Sequence, residues 1–362
     1  MNWRDARHPR AGGAEFYTQA LARRFVSDGN HVEWFTAAFP GSLLEELIDG
    51  VHIVRKGRQW TTHVQAFRRY RNALHNRFDL VVDEINTIPF FTPLWSDIPT
   101  VALIWQLARE VWWYESPFPL NAIGFAAEPA YLRLYRRTPV ITFSESTASD
   151  LRHLGFDGRI NLVPVGIEPI AIEDRSKDSM PTFVFVGRLA PSKRVHEIIE
   201  AFSIFRRSTG QGRLVLIGSG PDSYVQMLQR QSVALGIDQD VEFAGWLRGA
   251  DKYRRIAAAK ALLMASVREG WGLVVTESNA CGTPAIVYDV AGLRDSVRNL
   301  ETGLIVAPNP QSLAQGMLAL SEDKTLYDRL SGRARALGTR STFDASYSVI
   351  RDTVAKLVGN GA

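Results

Sequence analysis

Short apolar runs rich in β-branched and aromatic residues alternate with amphipathic helical stretches along nearly the whole chain. This alternation predicts parallel sheets covered by helices on both faces, because a parallel strand pair needs a crossover connection that lies against the sheet. The predicted strands form two series. The first comprises residues 31–37, 51–55, 78–83, 100–105 and 139–144, and the second comprises 182–186, 213–217, 241–244, 261–265, 285–288 and 303–306.

Predicted helices lie between these strands in both halves of the chain. They comprise residues 14–28, 64–77 and 121–136 in the first half, and 195–207, 223–235, 251–258, 277–281 and 310–320 in the second. Two such series predict an α/β chain with two doubly wound, Rossmann-like domains.

A polar stretch, IEDRSKDSMP, separates the two series and predicts a linker. We therefore expect an N-terminal domain over residues 1–170, a linker over 171–181 and a C-terminal domain over 182–340. A last helix within residues 341–362 is expected to pack back on the N-terminal domain.

The composition excludes several classes of protein. The 362 residues are 46% hydrophobic and 22% charged, which is typical of globular chains and not of disordered ones. No apolar run approaches the roughly 20 residues of a membrane-spanning helix, and the first ten residues lack the apolar core of a secretion signal. The single cysteine, Cys281, excludes an internal disulfide and a cysteine-built metal site. These features lead us to expect a cytoplasmic protein.

The formal net charge of +4 is unevenly distributed. Residues 1–170 hold equal numbers of acidic and basic side chains, so the whole excess lies in residues 171–362. This distribution favours an anionic ligand in the second half. The excess is too small to indicate a nucleic-acid partner.

A glycine loop, AGGAE at residues 11–15, opens the first predicted helix. In a doubly wound domain such a loop follows the first strand, yet only the polar stretch MNWRDARHPR precedes it here. The pattern therefore predicts that the first strand is missing and that its neighbours face a gap. On this reading we expect the natural reading frame to encode about six to ten further residues of β-branched apolar character, a usual strand length.

The second half contains a strand–loop–helix junction, GRLAPSK, beginning at Gly187. Such a junction presents free backbone N–H groups, and Arg188 and Lys193 add two cations that suit a diphosphate. The alternative is an ordinary loop with solvated basic residues. A second glycine pair, Gly218 and Gly220, allows close backbone approach to a ligand, although a tight turn is the better explanation of this pair taken alone.

The most informative block runs from Arg268 to Pro284, REGWGLVVTESNACGTP. Glu269 lies in a glycine loop after a predicted strand, and Glu277 follows after seven intervening residues in the next helix. Two carboxylates at one strand end can bind two hydroxyl-bearing parts of one ligand, while the amides of Gly270 to Leu273 bind its phosphates. The alternative is a loop carboxylate plus one that stabilises a helix N-terminus.

This block resembles the E-x7-E signature of retaining glycosyltransferases of the GT-B fold, in particular glycosyltransferase family 4. The fold implied is two Rossmann-like domains that face each other across a cleft. The resemblance extends over nearly the whole chain through supporting motifs at residues 12–15, 144–146, 163–168, 187–193 and 291–295.

The resemblance implies a role for each motif residue. Arg188 and Lys193 would neutralise the leaving diphosphate, Glu269 would position the donor sugar rather than act as a nucleophile, and Glu277 would bind the ribose hydroxyls. The other implied donor-binding residues are Gly187, Gly218, Gly270, Trp271, Gly272 and Leu273, and those on the acceptor side or in the cleft are Gly12, Gly13 and Trp105. The reaction implied needs neither a metal nor another cofactor, since the nucleotide diphosphate sugar is a substrate.

The chain departs from the family pattern at several positions. Trp105 stands where many relatives have a histidine that faces the donor sugar, Val165 replaces an asparagine, Asp295 replaces a glutamate, and Trp271 replaces a phenylalanine. Together with the missing strand, these departures leave open an inactive GT-B binding or scaffold protein. An epimerase or phosphorylase of the same fold is a further alternative.

Other candidate sites are weaker. The Asp-x-Asp sequence at residues 238–240 matches a metal motif, but it lies in a predicted turn where aspartate makes local hydrogen bonds. The histidines show no metal-ligand spacing, and Cys281 is expected in the core. Aromatic residues 112–114 and two arginine clusters fit contact with an anionic membrane surface, or simply a solvated helix face. The arginines are Arg68, Arg69, Arg71 and Arg77, and Arg133, Arg136 and Arg137.

From the sequence we therefore expect a retaining glycosyltransferase that takes its sugar from a UDP- or GDP-sugar. The expected acceptor is a saccharide, a lipid-linked saccharide or a metabolite. The expected place of action is the cytoplasm, either free or at the inner face of the membrane, with no nucleic-acid partner.

Overall fold

The computed structural model describes residues 1–74, 77–157, 159–170, 172 and 175–359. The chain forms two compact units. The first contains Met1–Arg109, Ile123–Pro164 and the C-terminal segment from Asp344, and the second contains Glu110–Ala122 and Val165–Phe343. The segment Glu110–Ala122 was expected in the N-terminal domain, but it packs with the second unit.

The elements up to Pro164 include five helices and seven strands. They are α1 (Gly13–Ser27), β1 (Glu33–Thr36), β2 (Glu45–Ile48), β3 (Val51–Arg55), α2 (Thr62–Arg69), β4 (Val81–Ile85), β5 (Thr100–Ile104), α3 (Val111–Glu115), α4 (Leu120–Leu132), β6 (Val140–Thr142), α5 (Glu145–His153) and β7 (Ile160–Leu162). A π-helical turn, Tyr70–Leu74, follows α2, and residues 75 and 76 of the predicted helix 64–77 lie outside the described residues.

The strands of the first unit form two ladders. One has the order β1-β3-β2 and the other has the order β4-β5-β6-β7. All pairs are parallel except β2 with β3, which form an antiparallel hairpin closed by Asp49 and Gly50 at φ 52° and 79°. The expectation of purely parallel pairing is therefore wrong at this one edge, because a two-residue turn with positive φ favours a hairpin.

Residues Met1 to Trp3 lie between the two ladders. The Met1 amino group donates to the Val82 carbonyl at 2.6 Å, and the Glu84 amide donates to the Met1 carbonyl at 2.9 Å. On the other side, the Asn2 amide donates to the Phe35 carbonyl at 3.2 Å. The expectation that nothing occupies the first strand's place is therefore wrong for these residues, whose backbone pairs in spite of polar and aromatic side chains.

A groove with a cavity volume of about 60 Å³ lies beside Met1. Its walls include Glu33 and Phe35 of β1, Val81 and Val82 of β4, and the Met1 residue itself. Since β1 and β4 belong to different ladders, the groove lies between the two ladders of the first unit.

The second unit contains most of the remaining elements. They are β8 (Thr182–Val186), α6 (Val195–Thr209), β9 (Arg213–Ile217), α7 (Asp222–Ala234), β10 (Val241–Gly245), α8 (Gly249–Ala258), β11 (Ala261–Met264), α9 (Leu273–Ala280), β12 (Ala285–Tyr288), α10 (Leu293–Ser296), β13 (Gly303–Val306), α11 (Pro310–Glu322), α12 (Lys324–Arg340) and α13 (Phe343–Gly359). Of these, α13 groups from Asp344 onward with the first unit.

The six strands of the second unit form one parallel sheet in the order β10-β9-β8-β11-β12-β13. Its central strands are buried on both faces, as Phe183, Phe185 and Leu263 illustrate at 0% exposure. Helices on both faces explain these continuous apolar runs. Because strand order reverses beside β8, the carboxyl ends of β8 and β11 border a crevice of the kind that binds ligands in doubly wound sheets.

Two further contacts fix the chain at the unit boundaries. The buried Glu128 carboxylate on α4 accepts hydrogen bonds from the Ala108 and Arg109 amides, both at 2.6 Å. On α13, Ser346 donates to the Pro164 carbonyl at 2.6 Å and Tyr347 donates to Asp28 at 2.5 Å.

Lys177, in the predicted linker, lies against the second unit. Its Nζ donates to the carbonyls of Ala257 and Ala259 and to Thr283 Oγ1, at 2.7–2.9 Å. Burial lowers its pKa to about 8. Residues 171, 173 and 174 of that linker and residues 360–362 of the predicted last helix lie outside the described residues.

Candidate functional site

Two loops at neighbouring strand ends contain the residues that the sequence motifs single out. The loop after β8 begins at Gly187, and the loop after β11 contains Glu269. Since β8 and β11 are adjacent in the sheet, both loops emerge at the crevice beside β8.

The loops after β8 and β9 pack backbone against backbone. Gly187 donates to the Ile217 carbonyl at 2.9 Å, and Leu189 donates to the Ser219 carbonyl at 2.8 Å. A Cβ on Gly218 would lie 1.8 Å from the Gly187 carbonyl oxygen. Gly218 is therefore required for contact between the two loops, which explains the glycine without a ligand.

Lys193 and Glu269 contact each other across the crevice. The Lys193 Nζ donates to Glu269 Oε1, and the same carboxylate accepts from Ser266 Oγ at 2.7 Å. Both side chains are mostly buried, at 18% and 14% exposure. The structure thus joins the cation of one predicted motif to the first glutamate of the other.

Arg188 and Ser192 face a carboxylate that the sequence motifs did not indicate. Glu115, at the end of α3, accepts from Ser192 Oγ and, at 3.5 Å, from Arg188 Nη1. Ser192 is only 4% exposed. Nothing in the local pattern of residues 110–115 shows this contact, because it depends on how α3 packs against the turn Pro191–Lys193.

The late glycine loop supports the backbone of Glu269. The Glu269 amide donates to the Ala291 carbonyl at 3.0 Å, and a Cβ on Gly292 would lie 1.9 Å from the Glu269 carbonyl oxygen. The Gly292 amide in turn donates to Asp295 Oδ2 at 2.9 Å. The motif at residues 291–295 therefore positions Glu269 through the backbone, and Asp295 reaches this amide although it is shorter than glutamate.

Glu277 lies in the middle of α9. The helix begins at Leu273 after Gly272, whose φ is 89°, so the predicted helix start at residue 277 is four residues too late. Its Oε1 accepts from Lys252 Nζ at 2.8 Å and from the Tyr253 hydroxyl at 3.3 Å. Glu277 is thus too far along α9 to stabilise its N-terminus, and Lys252 is a neighbouring cation that the motifs did not indicate.

The other residues of this block have structural contacts. The Trp271 indole donates to Thr276 Oγ1 at 2.9 Å, which holds the ring against α9. Burial raises the pKa of the Tyr253 hydroxyl, and the nearby Glu277 carboxylate raises it further. Cys281 is buried, and burial raises its pKa to about 12, so it is a protonated thiol at neutral pH.

Gly12, Gly13 and Trp105 belong to the first unit. Gly12 precedes α1 and donates to Glu15 Oε2 at 2.7 Å. Trp105 is 6% exposed and stacks on Phe143 with ring centroids 3.9 Å apart. The structure therefore places Trp105 among buried aromatic side chains.

The Asp-x-Asp sequence forms a short 3₁₀ turn, Asp238–Asp240, before β10. Asp240 accepts from Arg206 Nε at 2.9 Å, a local contact that explains the residue without a metal. Within the described ranges, no three histidine, cysteine or acidic side chains group as metal ligands, and no helix is long and apolar enough to cross a bilayer.

The cations and glutamates of both motifs thus lie at the central strand ends of a doubly wound unit, where such sheets bind their ligands. Residues 11–169 match the family described as Glycosyltransferase Family 4, and residues 168–337 match the family described as Glycosyl transferases group 1. The chain belongs to glycosyltransferase family 4.

Curated relatives match the chain over very different shares of their length. LpsE of Rhizobium meliloti, a lipopolysaccharide core biosynthesis glycosyltransferase, is 26% identical over 85% of this chain and 90% of its own. The exopolysaccharide phosphotransferase SCO2592 of Streptomyces coelicolor is 29% identical over 66% of this chain, which spans only 26% of that protein.

Solved structures share the fold over nearly the whole chain. Sucrose-phosphate synthase of Thermosynechococcus elongatus superposes with a TM-score of 0.81 at 21% identity, covering 97% of this chain and 94% of its own. Anabaena HepE, solved with UDP and glucose, has a TM-score of 0.75 at 19% identity and covers 98% of both chains. The GT-B prediction is confirmed, and the chain is a glycosyltransferase.

Proposed function

We propose that this glycosyltransferase takes a sugar from a nucleoside diphosphate sugar and transfers it with retention of anomeric configuration. The contact between Lys193 and Glu269 carries the proposal, since it joins a cation that suits phosphate to a carboxylate that suits sugar hydroxyls, at two neighbouring strand ends. The complex of HepE with UDP and glucose supports this donor class.

In the proposed reaction, Arg188 and Lys193 bind the diphosphate. Negative charge grows on this leaving group in the transition state, so cations already held at the site stabilise the transition state more than the ground state. The amides at the start of α9 add donors and the positive end of a helix dipole. We propose that the reaction needs no metal or other cofactor.

Glu269 would bind hydroxyls of the donor sugar, and Glu277 would bind the ribose hydroxyls. In the structure these carboxylates accept from Lys193 and Lys252. Donor binding would therefore exchange ion pairs within the protein for contacts with phosphate and sugar. The resemblance to the E-x7-E signature implies both retention of anomeric configuration and a positioning role for Glu269.

The name of LpsE supports a saccharide acceptor, either free or lipid-linked. We propose that transfer occurs in the cytoplasm at the inner face of the membrane. Exposed apolar side chains in the segment Glu110–Ala122 fit peripheral contact, including Phe118 at 81% and Leu120 at 48% exposure. Of residues 112–114, however, Trp112 is buried, and Arg69 is paired with Glu33 at 2.8 Å.

The test is a panel of UDP-, GDP-, ADP- and dTDP-sugars incubated with saccharide acceptors, with nucleotide release and product formation measured together. One donor class is expected to raise the thermal midpoint and to release nucleotide only with acceptor. NMR of the product should show the donor's anomeric configuration, and transfer should persist in EDTA. Flotation with anionic vesicles tests membrane contact. The absence of stabilisation by every nucleotide would overturn the proposal.

A further inference from the structure

The segment Glu110–Ala122 leaves the first unit and packs with the second. Three of its side chains contact basic residues of the second unit. Glu110 accepts from Arg268 Nε at 2.9 Å, the Tyr114 hydroxyl accepts from Arg194 Nη2 at 3.1 Å, and Glu115 contacts Arg188 and Ser192. The segment is therefore held at the same turn that carries the proposed diphosphate site.

Glu115 has the contacts expected of a bound phosphate oxygen. A carboxylate and a phosphate both present oxygens that accept charge-assisted hydrogen bonds from a guanidinium and from a hydroxyl. Ser192 is buried and donates to Glu115, and Arg188 Nη1 lies 3.5 Å from the same carboxylate. Lys193, next in the chain, donates to Glu269. The proposed diphosphate residues thus contact two of the protein's own carboxylates.

We propose that Glu115 occupies the diphosphate position and that a nucleoside diphosphate must displace it to bind. Two negative groups cannot share Arg188 and Ser192 without repulsion, so donor binding and the contact of α3 exclude each other. Donor binding then frees the segment Glu110–Ala122 from the turn Pro191–Lys193. This inference rests on the proposed function, because it requires that Arg188 binds the diphosphate.

The first experiment measures nucleotide affinity in Glu115→Gln by titration calorimetry with the nucleotide that stabilises the wild type. Glutamine keeps the size of the side chain but removes the competing charge. The nucleotide affinity is expected to rise about three- to tenfold, which corresponds to the free energy that a partly exposed ion pair contributes. Glu110→Gln is the matched control, since it removes a charge from the same segment but contacts Arg268, and less than a twofold change is expected.

The second experiment follows amide hydrogen exchange in peptides covering residues 110–122. In the wild type, exchange is expected to rise when the nucleotide is added. In Glu115→Gln it should already be raised without nucleotide, while peptides from β12 stay unchanged as an internal reference. Thermal midpoints within about 2 °C of the wild type would show that both variants fold.

The outcomes separate this inference from the proposed function. If Arg188→Ala abolishes nucleotide binding but Glu115→Gln binds no tighter, the inference is wrong and the proposed function stands. Nucleotide binding that leaves exchange of residues 110–122 unchanged or lowers it also overturns the inference. If the wild type binds none of UDP, GDP, ADP or dTDP, both are wrong.

Discussion

The two units differ in the kinds of polar side chain that they bury and in whether their strands form one ladder or two. Among the described residues, every aspartate, glutamate, lysine or arginine side chain that is buried lies in the first unit: Asp5, Glu15, Arg55, Asp83, Glu84 and Glu128. The buried polar side chains of the second unit are only serine, threonine and asparagine, and its sheet is one continuous ladder. The first unit instead joins two ladders through Met1 to Trp3.

This difference separates two ways of building one architecture. In the second unit, apolar strands form the core, and the charged groups lie at strand ends, where ligand chemistry needs them. In the first unit, the core depends on satisfied charges such as Arg55, which contacts Asp5 at 2.6 Å and Glu46 at 2.5 Å. We therefore expect substitutions at the strand ends of the second unit to change activity, and pH to change the stability of the first.

The largest expected effect tests whether the chemistry belongs to the second unit. Arg188→Ala combined with Lys193→Ala should lower turnover at saturating donor by about 100- to 1,000-fold, because removing preorganised stabilisation of growing charge costs about 2.7–4 kcal/mol. The matched control is the double variant Arg254→Ala with Lys324→Ala, which removes two exposed basic side chains outside the proposed site. Turnover near that of the wild type in the double variant would place the phosphate elsewhere.

The next prediction concerns Glu84 in the first unit. Burial and, to a smaller extent, nearby Glu15 raise its pKa to about 8, so the folded chain keeps this carboxyl protonated where the unfolded chain ionises it. A folded pKa above the unfolded value means that the stability contribution falls as pH rises from about 4.5 to about 8.

Glu84→Gln should remove this dependence. Its free energy of unfolding relative to the wild type is expected to rise by about 2–3 kcal/mol between pH 5 and pH 8, within the limit of about 1.4 kcal/mol per pH unit. Hydrogen exchange of β1 and β4 peptides measures the effect in the first unit. A constant difference across this pH range would show that Glu84 is ionised in the fold.

The third prediction concerns Glu277, in the proposed donor site of the second unit. Glu277→Ala should raise the Michaelis constant for donor by about 10- to 100-fold with a smaller change in turnover, since hydrogen bonds to a charged group contribute about 1.5–3 kcal/mol. Glu242→Ala, on β10 and paired with Arg255, is the control. An unchanged Michaelis constant in folded Glu277→Ala would contradict a ribose-binding role.

The smallest expected effect tests the groove between the ladders. A five-residue valine and threonine extension fused before Met1 should add ladder hydrogen bonds to β1 and β4 and raise the thermal midpoint by about 2–6 °C, equivalent to about 1–2 kcal/mol. A glycine and serine extension of the same length is the control. Equal midpoints for the two extensions would show that the groove does not accept a strand.

The sequence predicts the two units unequally. Strands β8, β9, β12 and β13 have the predicted bounds, because doubly buried strands appear as continuous apolar runs. In the first unit the sequence does not predict β2, since its two glutamates and its exposed leucine give no apolar run, although the Asp49-Gly50 turn is a usable signal. It does not predict the pairing of residues 1–3 either, because three residues with an asparagine in the middle are too short a run to show a strand pattern.

The candidate site could be predicted in its motifs but not in its contacts. The E-x7-E spacing indicated Glu269 and Glu277, and the GRLAPSK junction indicated Lys193. That Lys193 contacts Glu269 depends on the order of strands in the sheet, which spacing does not contain. Glu115 and Lys252 lie on helices remote in sequence from these motifs, so only tertiary packing shows them.

The contact of Glu128 with the Ala108 and Arg109 amides has a consequence for the segment that follows. It fixes the backbone at the residues that precede Glu110–Ala122. Glu115 belongs to the same compact unit as Arg188 and Ser192, so once displaced it remains tethered near them, with an effective concentration on the order of millimolar. Glu115 then acts as an intramolecular competitor that dilution of the protein does not remove, and it lowers the donor's apparent affinity by the same factor at every protein concentration.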